Sequence, residues 1–186
     1  METIKQFEGD TETELWQKVA ADMSSLGDVL KYSVILNQSG QQTLFDLDID
    51  LGGGFESGIS TTRFRTALPA ATVLRFNIHE QDFLNEIGKV LGMEDIKFGY
   101  PDFDAAFIVQ TNNANALKHL FSQESIRNIL LKHPTAKLKL DVSSDPAAPD
   151  VYLSFSKNNA VVEVAELQEI YHLLHHLANG ILKLPV

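Results

Sequence analysis

One run of the sequence alternates strictly between apolar and acidic residues, and it constrains the fold more than any other segment. The two alternating sets are Phe45, Leu47, Ile49 and Leu51 on one side and Asp46, Asp48 and Asp50 on the other. A period of two is typical of a β-strand, in which successive side chains point to opposite faces of the sheet. The run therefore predicts a sheet with one face packed on a core and the other face wet and ionic.

The flanking segments keep the period of two and predict that this strand belongs to a group of four. The predicted strands span residues 32–36, 43–51, 59–67 and 72–78. Because no connection between them is long enough for a helix, antiparallel pairing is the simplest arrangement. Arg63 and Arg65 fall on the ionic face of the third strand, where we expect them to supply cross-strand partners for the aspartates.

Helical spacing of apolar residues appears near both termini and in the middle of the chain. Thr11 and Glu14 form a capping-box pattern ahead of the first helix, whose apolar stripe includes Trp16 and which ends at Gly27. Further helices are predicted over 81–91, 114–121, 124–132 and 165–184. Further strands are predicted over 103–109, 137–142, 151–156 and 161–164.

The helices over 114–121 and 124–132 form a mid-chain pair. Asn112 or Asn113 is placed to cap the first of them, and Ser122 is placed to cap the second. Together the elements predict an α+β fold with a largely antiparallel sheet or sheets. An N-terminal helix, the mid-chain pair and a long C-terminal helix would pack on that sheet.

We expect residues 1–186 to form a single compact unit. Within it, 1–68 would form a β-rich lobe and 69–186 an α+β lobe, joined at Leu68-Pro69-Ala70. Hydrophobic residues make up 44% of the chain, which is enough apolar material for one core or for two small lobes that share one.

The composition excludes several classes of protein. No run approaches the roughly 18 apolar residues of a membrane span, and the first residues lack the apolar centre of a signal peptide. Without cysteine there are no disulfides, thiol nucleophiles or Cys-ligated metals, so a cytoplasmic protein is the simplest expectation. The formal net charge of -10 disfavours nucleic acid as a partner because phosphates would be repelled.

The last helix carries the residues with the clearest metal-binding pattern. Glu169, His172 and His176 lie one turn apart and share a helix face, so the three could hold a zinc ion. Their face lies opposite the apolar stripe of the same helix, which favours an ordinary solvated surface. The His-Glu-x-x-His arrangement of zinc proteases is absent, and we expect neither a metal nor another cofactor.

Other chemical templates fit poorly. Asp46-x-Asp48-x-Asp50 resembles the start of a calcium loop, but Leu51 and Ser57 stand where that loop needs Gly and Glu. Gly52-Gly53-Gly54 lacks the Lys-Ser/Thr of a phosphate-binding loop, and no Gly-x-Ser-x-Gly elbow is present. Asp102 and Asp104 would share one face of a strand, a common surface feature that predicts no acid-base chemistry by itself.

Part of the second half resembles a known group of sequences. Between Val73 and Leu131, Asp95-Ile96-Lys97-Phe98-Gly99 leads to Phe103-Asp104-Ala105-Ala106-Phe107-Ile108-Val109, followed by a polar turn and a helix pair. This order resembles a loosely defined group of uncharacterised bacterial conserved domains of unknown function. The resemblance implies no activity and no catalytic residues, and its members are often fused to membrane spans. Physically, Gly99 and Asp104 indicate a turn, while Phe103 and Phe107 indicate core positions.

Because every catalytic template fails, we expect a non-catalytic binding protein whose partner is another protein or a second copy of the chain. Two alternatives stay open. One is a metal-dependent enzyme or zinc binder that uses Glu169, His172 and His176. The other is a small-ligand carrier with a pocket between the β-rich half and the helices.

Overall fold

A computed structural model describes residues 4–27, 29–52, 58–81, 92–142 and 151–184. Within these ranges it contains nine strands and five helices. The strands are β1 (Lys5–Gly9), β2 (Lys31–Gln38), β3 (Gln41–Asp50), β4 (Ile59–Leu68), β5 (Phe76–Glu80), β6 (Glu94–Ile96), β7 (Phe107–Thr111), β8 (Lys137–Val142) and β9 (Val151–Lys157). The helices are α1 (Glu12–Ser25), α2 (Pro101–Ala106), α3 (Ala114–Leu120), α4 (Glu124–Leu131) and α5 (Val164–Ile181).

The strands form one sheet in the order β1-β2-β3-β4-β9-β8-β5-β7-β6. Strand β1 runs parallel to β2, and the other pairs are antiparallel. The predicted α+β class, with its N-terminal helix, mid-chain helix pair and long C-terminal helix, is therefore confirmed. The sheet continues from β4 through β9 and β8 to β5, while the division into lobes at residues 68 and 69 stays a prediction.

The core lies between one face of the sheet and the helices. Helix α1 contacts β1 and β2, and α5 contacts β4, β9, α1 and α4. Trp16 of α1 lies at the centre, with its ring 6.4 Å from those of Phe45 and Phe64 and 5.8 Å from that of Tyr171. These four aromatic side chains are almost wholly buried, and they join the first helix, the sheet and the last helix.

A second aromatic cluster anchors the shorter helices. Phe103 of α2 contacts Phe98, Phe107 and Phe121, with ring centroids between 4.9 and 5.9 Å apart. The ring of Phe121 also meets Phe76 of β5 edge-on at 6.5 Å. The predicted core positions of Phe103 and Phe107 are confirmed, since each is 1% exposed.

The start of α1 follows the predicted capping pattern with one difference. Thr11 Oγ1 accepts a hydrogen bond from the Glu14 N–H at 3.2 Å. The Glu14 carboxylate accepts one from the N–H of Asp10, not from that of Thr11, also at 3.2 Å. Past the end of the helix, Gly27 adopts φ 68°, the left-handed conformation that glycine tolerates best.

The prediction of a strand over 103–109 is wrong. Residues Pro101–Ala106 form α2, and only the end of the segment enters β7. The Asp104 carboxylate accepts hydrogen bonds from the N–H groups of Phe98 and Gly99, both at 2.8 Å, and so holds the turn before the helix. The predicted turn roles of Gly99 (φ 90°) and Asp104 are confirmed, and Asp102 lies on α2 beside it.

Two other predicted strands are shifted or lost. The strand over 72–78 begins only at Phe76, because the Arg75 N–H donates to the Asn112 side chain and not to a ladder. The strand over 161–164 is absent: the Val161 N–H donates to Thr62 Oγ1, and Val164 already begins α5. The last helix therefore starts one residue earlier than predicted and ends at Ile181.

The mid-chain pair corrects one capping prediction. Asn113 caps α3, with its side-chain oxygen accepting from the Ala116 N–H at 3.1 Å. Ser122 does not cap α4, whose N-cap is Gln123 without a side-chain hydrogen bond.

Strands β1 and β6 were not predicted. The predicted helix over 81–91 lies, except for its first residue, outside the described residues. None of the described helices combines the length and the apolar character needed to cross a bilayer.

Candidate functional site

The two faces of the sheet are covered very differently. The side chains that alternate toward the helices are buried, as shown by Val34, Phe45, Phe64 and Phe155, which pair directly across four strands. The opposite face over β2, β3, β4, β9 and β8, called the open face below, has no described helix packed on it. It therefore leaves the outward side chains of five neighbouring strands accessible to a partner.

Rows of directly paired residues cross the open face. One row contains Leu44, Arg65, Ser154, Lys139 and Asn77 on consecutive strands. The adjacent row contains Asp46, Arg63, Ser156 and Lys137. Residues paired in this way point to the same face of the sheet. Two cations on β4 and two on β8 thus flank β9, and we call Arg63, Arg65, Lys137 and Lys139 the basic centre.

The basic centre has a regular geometry set by the sheet. Arg63 and Lys137 stand two strands apart, a separation of about 9 to 10 Å between their backbones. The two rows are two residues apart along each strand, a repeat of about 7 Å. Ser154 and Ser156 lie between the cations on β9 and place two hydroxyl groups within the same surface.

Arg65 and Lys139 of the basic centre have weak, solvent-exposed contacts. The Arg65 guanidinium lies 5.0 Å from the centre of the Tyr152 ring. Lys139 Nζ lies 3.4 Å from a carboxylate oxygen of Asp141, and both side chains are nearly half exposed. Exposed ion pairs contribute about 0 to 1 kcal/mol, so the contact with Asp141 positions Lys139 without neutralising it strongly.

The aspartate stripe of β3 flanks the basic centre. The predicted alternation is confirmed for Phe45 and Leu47, which are buried, while Leu51 is 72% exposed. Arg63 stands directly opposite Asp46, as predicted, but Asp46 accepts a hydrogen bond from Ser33. The ion pair of the stripe joins Asp48 to Lys31 at 3.8 Å.

A shallow depression of about 340 Å³ lies where the stripe meets Arg63. Its walls on the open face are polar and carry both charges: Lys31, Ser33, Asp46, Asp48, Thr61 and Arg63. The carboxylates are spread along the strand, and among the described residues no group of three side chains is arranged to hold a metal ion. The depression is thus a site of mixed charge at the edge of the basic centre.

Two of the three candidate zinc residues of α5 have partners outside the helix. Glu169 pairs with Lys132, the residue that follows α4, at 2.6 and 2.8 Å. His172 Nδ1 lies 2.8 Å from a Glu12 carboxylate oxygen of α1, and the ring of His176 is 6.4 Å from that of His172. Glu169 and His172 thus tie α5 to Lys132 and to α1, while the His176 ring stays beside that of His172.

Three histidines lie in less polar surroundings than the sequence indicates. Burial lowers the pKa of His175, whose ring stacks on Tyr171 at 5.7 Å, and of His176. His133 was not singled out in the sequence, yet it is 2% exposed and meets Phe155 edge-on. Burial lowers its pKa as well, with the charge of Lys157 adding to the effect. All three therefore favour the neutral form.

Comparison of the chain with protein-family models, with curated proteins and with solved structures found no match. The functional argument therefore depends on the geometry of the chain itself.

Proposed function

We propose that the protein is a non-catalytic binding module and that its open face binds an extended acidic segment of another protein. The observation that carries this proposal is the basic centre. In a chain with a formal net charge of -10, four of the 15 Lys and Arg residues lie on β4 and β8 of the open face, on either side of β9. At physiological ionic strength charges interact over about 8 Å, so a bound segment would experience the four cations, with Asp46 and Asp141 beside them, more than the acidic residues elsewhere in the chain.

The spacing of the basic centre favours an extended partner. In an extended peptide, alternate side chains lie on the same side and recur about every 7 Å, which is the spacing of the two rows. A segment with Asp or Glu at every second position would therefore place one carboxylate on each row. Ser154 and Ser156 would donate hydrogen bonds to the same carboxylates, while Arg63 and Arg65 can bind them in a bidentate manner.

A protein segment suits this surface better than a single-stranded nucleic acid. Proteins that bind single strands combine a basic groove with aromatic rings on which bases stack. Among the described residues of the open face the aromatic side chain is Tyr152, and the Arg65 guanidinium already lies over its ring. Carboxylates require only the cations and hydroxyls that the two rows present.

The contacts of α5 support binding over the zinc-dependent alternative. A zinc site needs its ligands to converge on one point, with a dry and supported surrounding. Glu169 and His172 instead form ion-pair contacts with Lys132 and Glu12. Recruiting them to a metal would break these two ion-pair contacts, which help to hold α5 against its neighbours.

The proposal is tested with a fluorescein-labelled peptide in which Ser and Glu alternate, titrated into the protein at physiological salt and followed by fluorescence anisotropy. We expect the double variant Arg63→Gln/Arg65→Gln to bind at least about tenfold more weakly than wild type, because each neutralised cation faces a carboxylate. A peptide of the same composition with its Glu residues in one block should bind more weakly to the wild-type protein.

A matched control separates the site from the overall charge. Lys118→Gln/Lys183→Gln also removes two cations, from exposed positions on α3 and beyond α5. Equal losses in the two double variants would contradict a specific site, as would tighter binding of an oligodeoxynucleotide than of the peptide. If light scattering shows a dimer that the arginine variants abolish, the partner segment belongs to a second copy and not to another protein.

A further inference from the structure

A cavity of about 630 Å³ lies away from the open face, at the junction that the sequence indicated between the β-rich half and the rest. Its walls come from three places: the connection from β4 to β5, the first turn of α3 and the end of α5 with the residues just after it. Ligand sites for small molecules commonly measure roughly 300 to 1,000 Å³, so the cavity has the size of such a site.

Two large apolar side chains of the cavity wall are exposed to solvent. Val73 is 64% exposed and Leu182 is 51% exposed, although both are large apolar side chains. Leu74, Ala116 and Ile181 line the cavity beside them. Covering such side chains removes apolar surface from water, which is favourable, so an apolar molecule would gain free energy by filling the space.

The polar part of the wall already has its hydrogen bonds. The Asn112 side chain accepts from the Arg75 N–H at 2.7 Å and donates to the Val73 carbonyl at 2.8 Å. Arg75, which follows Leu74 in the chain, donates its guanidinium N–H groups to the carbonyls of Thr72 and Leu74, both at 2.7 Å. None of the described residues that line the cavity carries a charge.

We propose that this cavity binds a neutral, mostly apolar small molecule. A charged ligand would lose its hydration without gaining an opposite charge from the wall, which is costly in an apolar surrounding. A neutral ligand has no charge to desolvate. The exposed amide of Asn115 at the wall can form a hydrogen bond with one polar group of such a ligand. This site is independent of the open face and gives the small-ligand alternative a defined place.

The test uses Nile red, an uncharged dye whose fluorescence rises in apolar surroundings, titrated into the full chain. We expect saturable binding by the wild-type protein and a loss of affinity of about tenfold or more in Leu182→Asp, because the carboxylate brings a charge into the apolar wall. Val73→Asp places a charge in the part of the wall that comes from the connection between β4 and β5, and it should weaken binding similarly. Both positions are exposed, so folding should survive, and circular dichroism verifies this.

The matched control is Val162→Asp, since Val162 is 50% exposed and does not line the cavity. It should change the affinity for Nile red by less than about twofold. Equal losses in the control and in Leu182→Asp would overturn the proposal, and so would an absence of saturable binding by the wild-type protein. If the anionic dye 1-anilinonaphthalene-8-sulfonate bound at the same site as tightly as Nile red, the assignment to neutral ligands would be wrong.

Discussion

The covered face and the open face of the sheet are built from alternate residues of the same strands, yet they depend on different interactions. On the covered face, Phe45 and Phe64 stack across two strands with ring centroids 4.4 Å apart. One residue further along β4, Arg65 faces solvent and rests on the Tyr152 ring. The covered face therefore contributes most of the packing that stabilises the fold, because its side chains are buried. The open face contributes less to stability, and its side chains are accessible to a partner.

The largest expected effect comes from truncating the covered face. Phe64→Ala should lower the free energy of unfolding by about 3 to 5 kcal/mol, because Phe64 is fully buried and its removal leaves a cavity. Its chain neighbour provides the control: Arg65→Ala should cost less than about 1 kcal/mol. Urea denaturation of the two variants measures both values, and similar costs would show that the two faces are not distinct.

A buried hydroxyl pair gives the next largest effect. Thr43 and Thr66 are hydrogen-bonded to each other at 2.7 Å on the covered face, and both are buried. Thr66→Val should destabilise the fold by about 1 to 3 kcal/mol, because it leaves the Thr43 hydroxyl buried without a partner. The double variant Thr43→Val/Thr66→Val should recover most of that loss. A double variant less stable than the single one would show that the pair is not the cause.

A smaller effect is expected from pH. Burial lowers the pKa of His133 below its ordinary 6.5. The positive charges of Lys157 on β9 and of Lys132, which follows α4, lower this pKa further, while the negative charges of Glu166 and Glu169 on α5 raise it. The unfolded chain therefore binds more protons as pH falls through the ordinary value. The free energy of unfolding that depends on keeping His133 neutral is fully present above about pH 6.5, and it is lost as pH falls toward the lowered pKa of His133 in the folded state.

Urea midpoints measured from about pH 8 to about pH 5 test this dependence. His133→Leu should reduce the slope of the free energy of unfolding against pH. Part of the slope should remain, because burial also lowers the pKa of His175 and of His176. A slope unchanged by the substitution would exclude His133 as a contributor.

The smallest effect is expected on the surface of α5 that carries Glu169, His172 and His176. Glu169→Gln removes the ion pair with Lys132, whose two side chains are 40% and 56% exposed. We expect a loss of only about 0 to 1 kcal/mol in the free energy of unfolding, because exposed pairs are well solvated when separated. A much larger loss would mean that this surface, and not only the covered face, controls stability.

Much of the β-rich half is predictable because a period of two fixes which side chains share a face. The alternation in β3 and β4 placed Phe45 and Phe64 inside and Asp46 and Arg63 outside, as the structure shows. The segment 103–109 was misassigned because its apolar residues suit both a buried strand and a helix, with Phe103 and Phe107 one turn apart. The deciding contacts are the Asp104 hydrogen bonds to Phe98 and Gly99, which depend on the path of the chain.

The candidate site could be predicted only in part. Arg63-x-Arg65 and Lys137-x-Lys139 each have the spacing of residues on one face of a strand, and that signal is present in the sequence. Their convergence depends on β9 lying between β4 and β8, a long-range pairing that no local pattern encodes. For the same reason the Glu169 and His172 pattern was ambiguous, since Lys132 and Glu12 approach from other helices.

The most direct test of the open-face account is to record amide chemical shifts by NMR while the alternating Ser-Glu peptide is added to the labelled protein. The account predicts that the perturbed amides cluster on β4, β9 and β8, around Arg63, Arg65, Ser154 and Lys139. Perturbations concentrated on α5 or around the cavity beside Leu182, with the central strands unchanged, would contradict it.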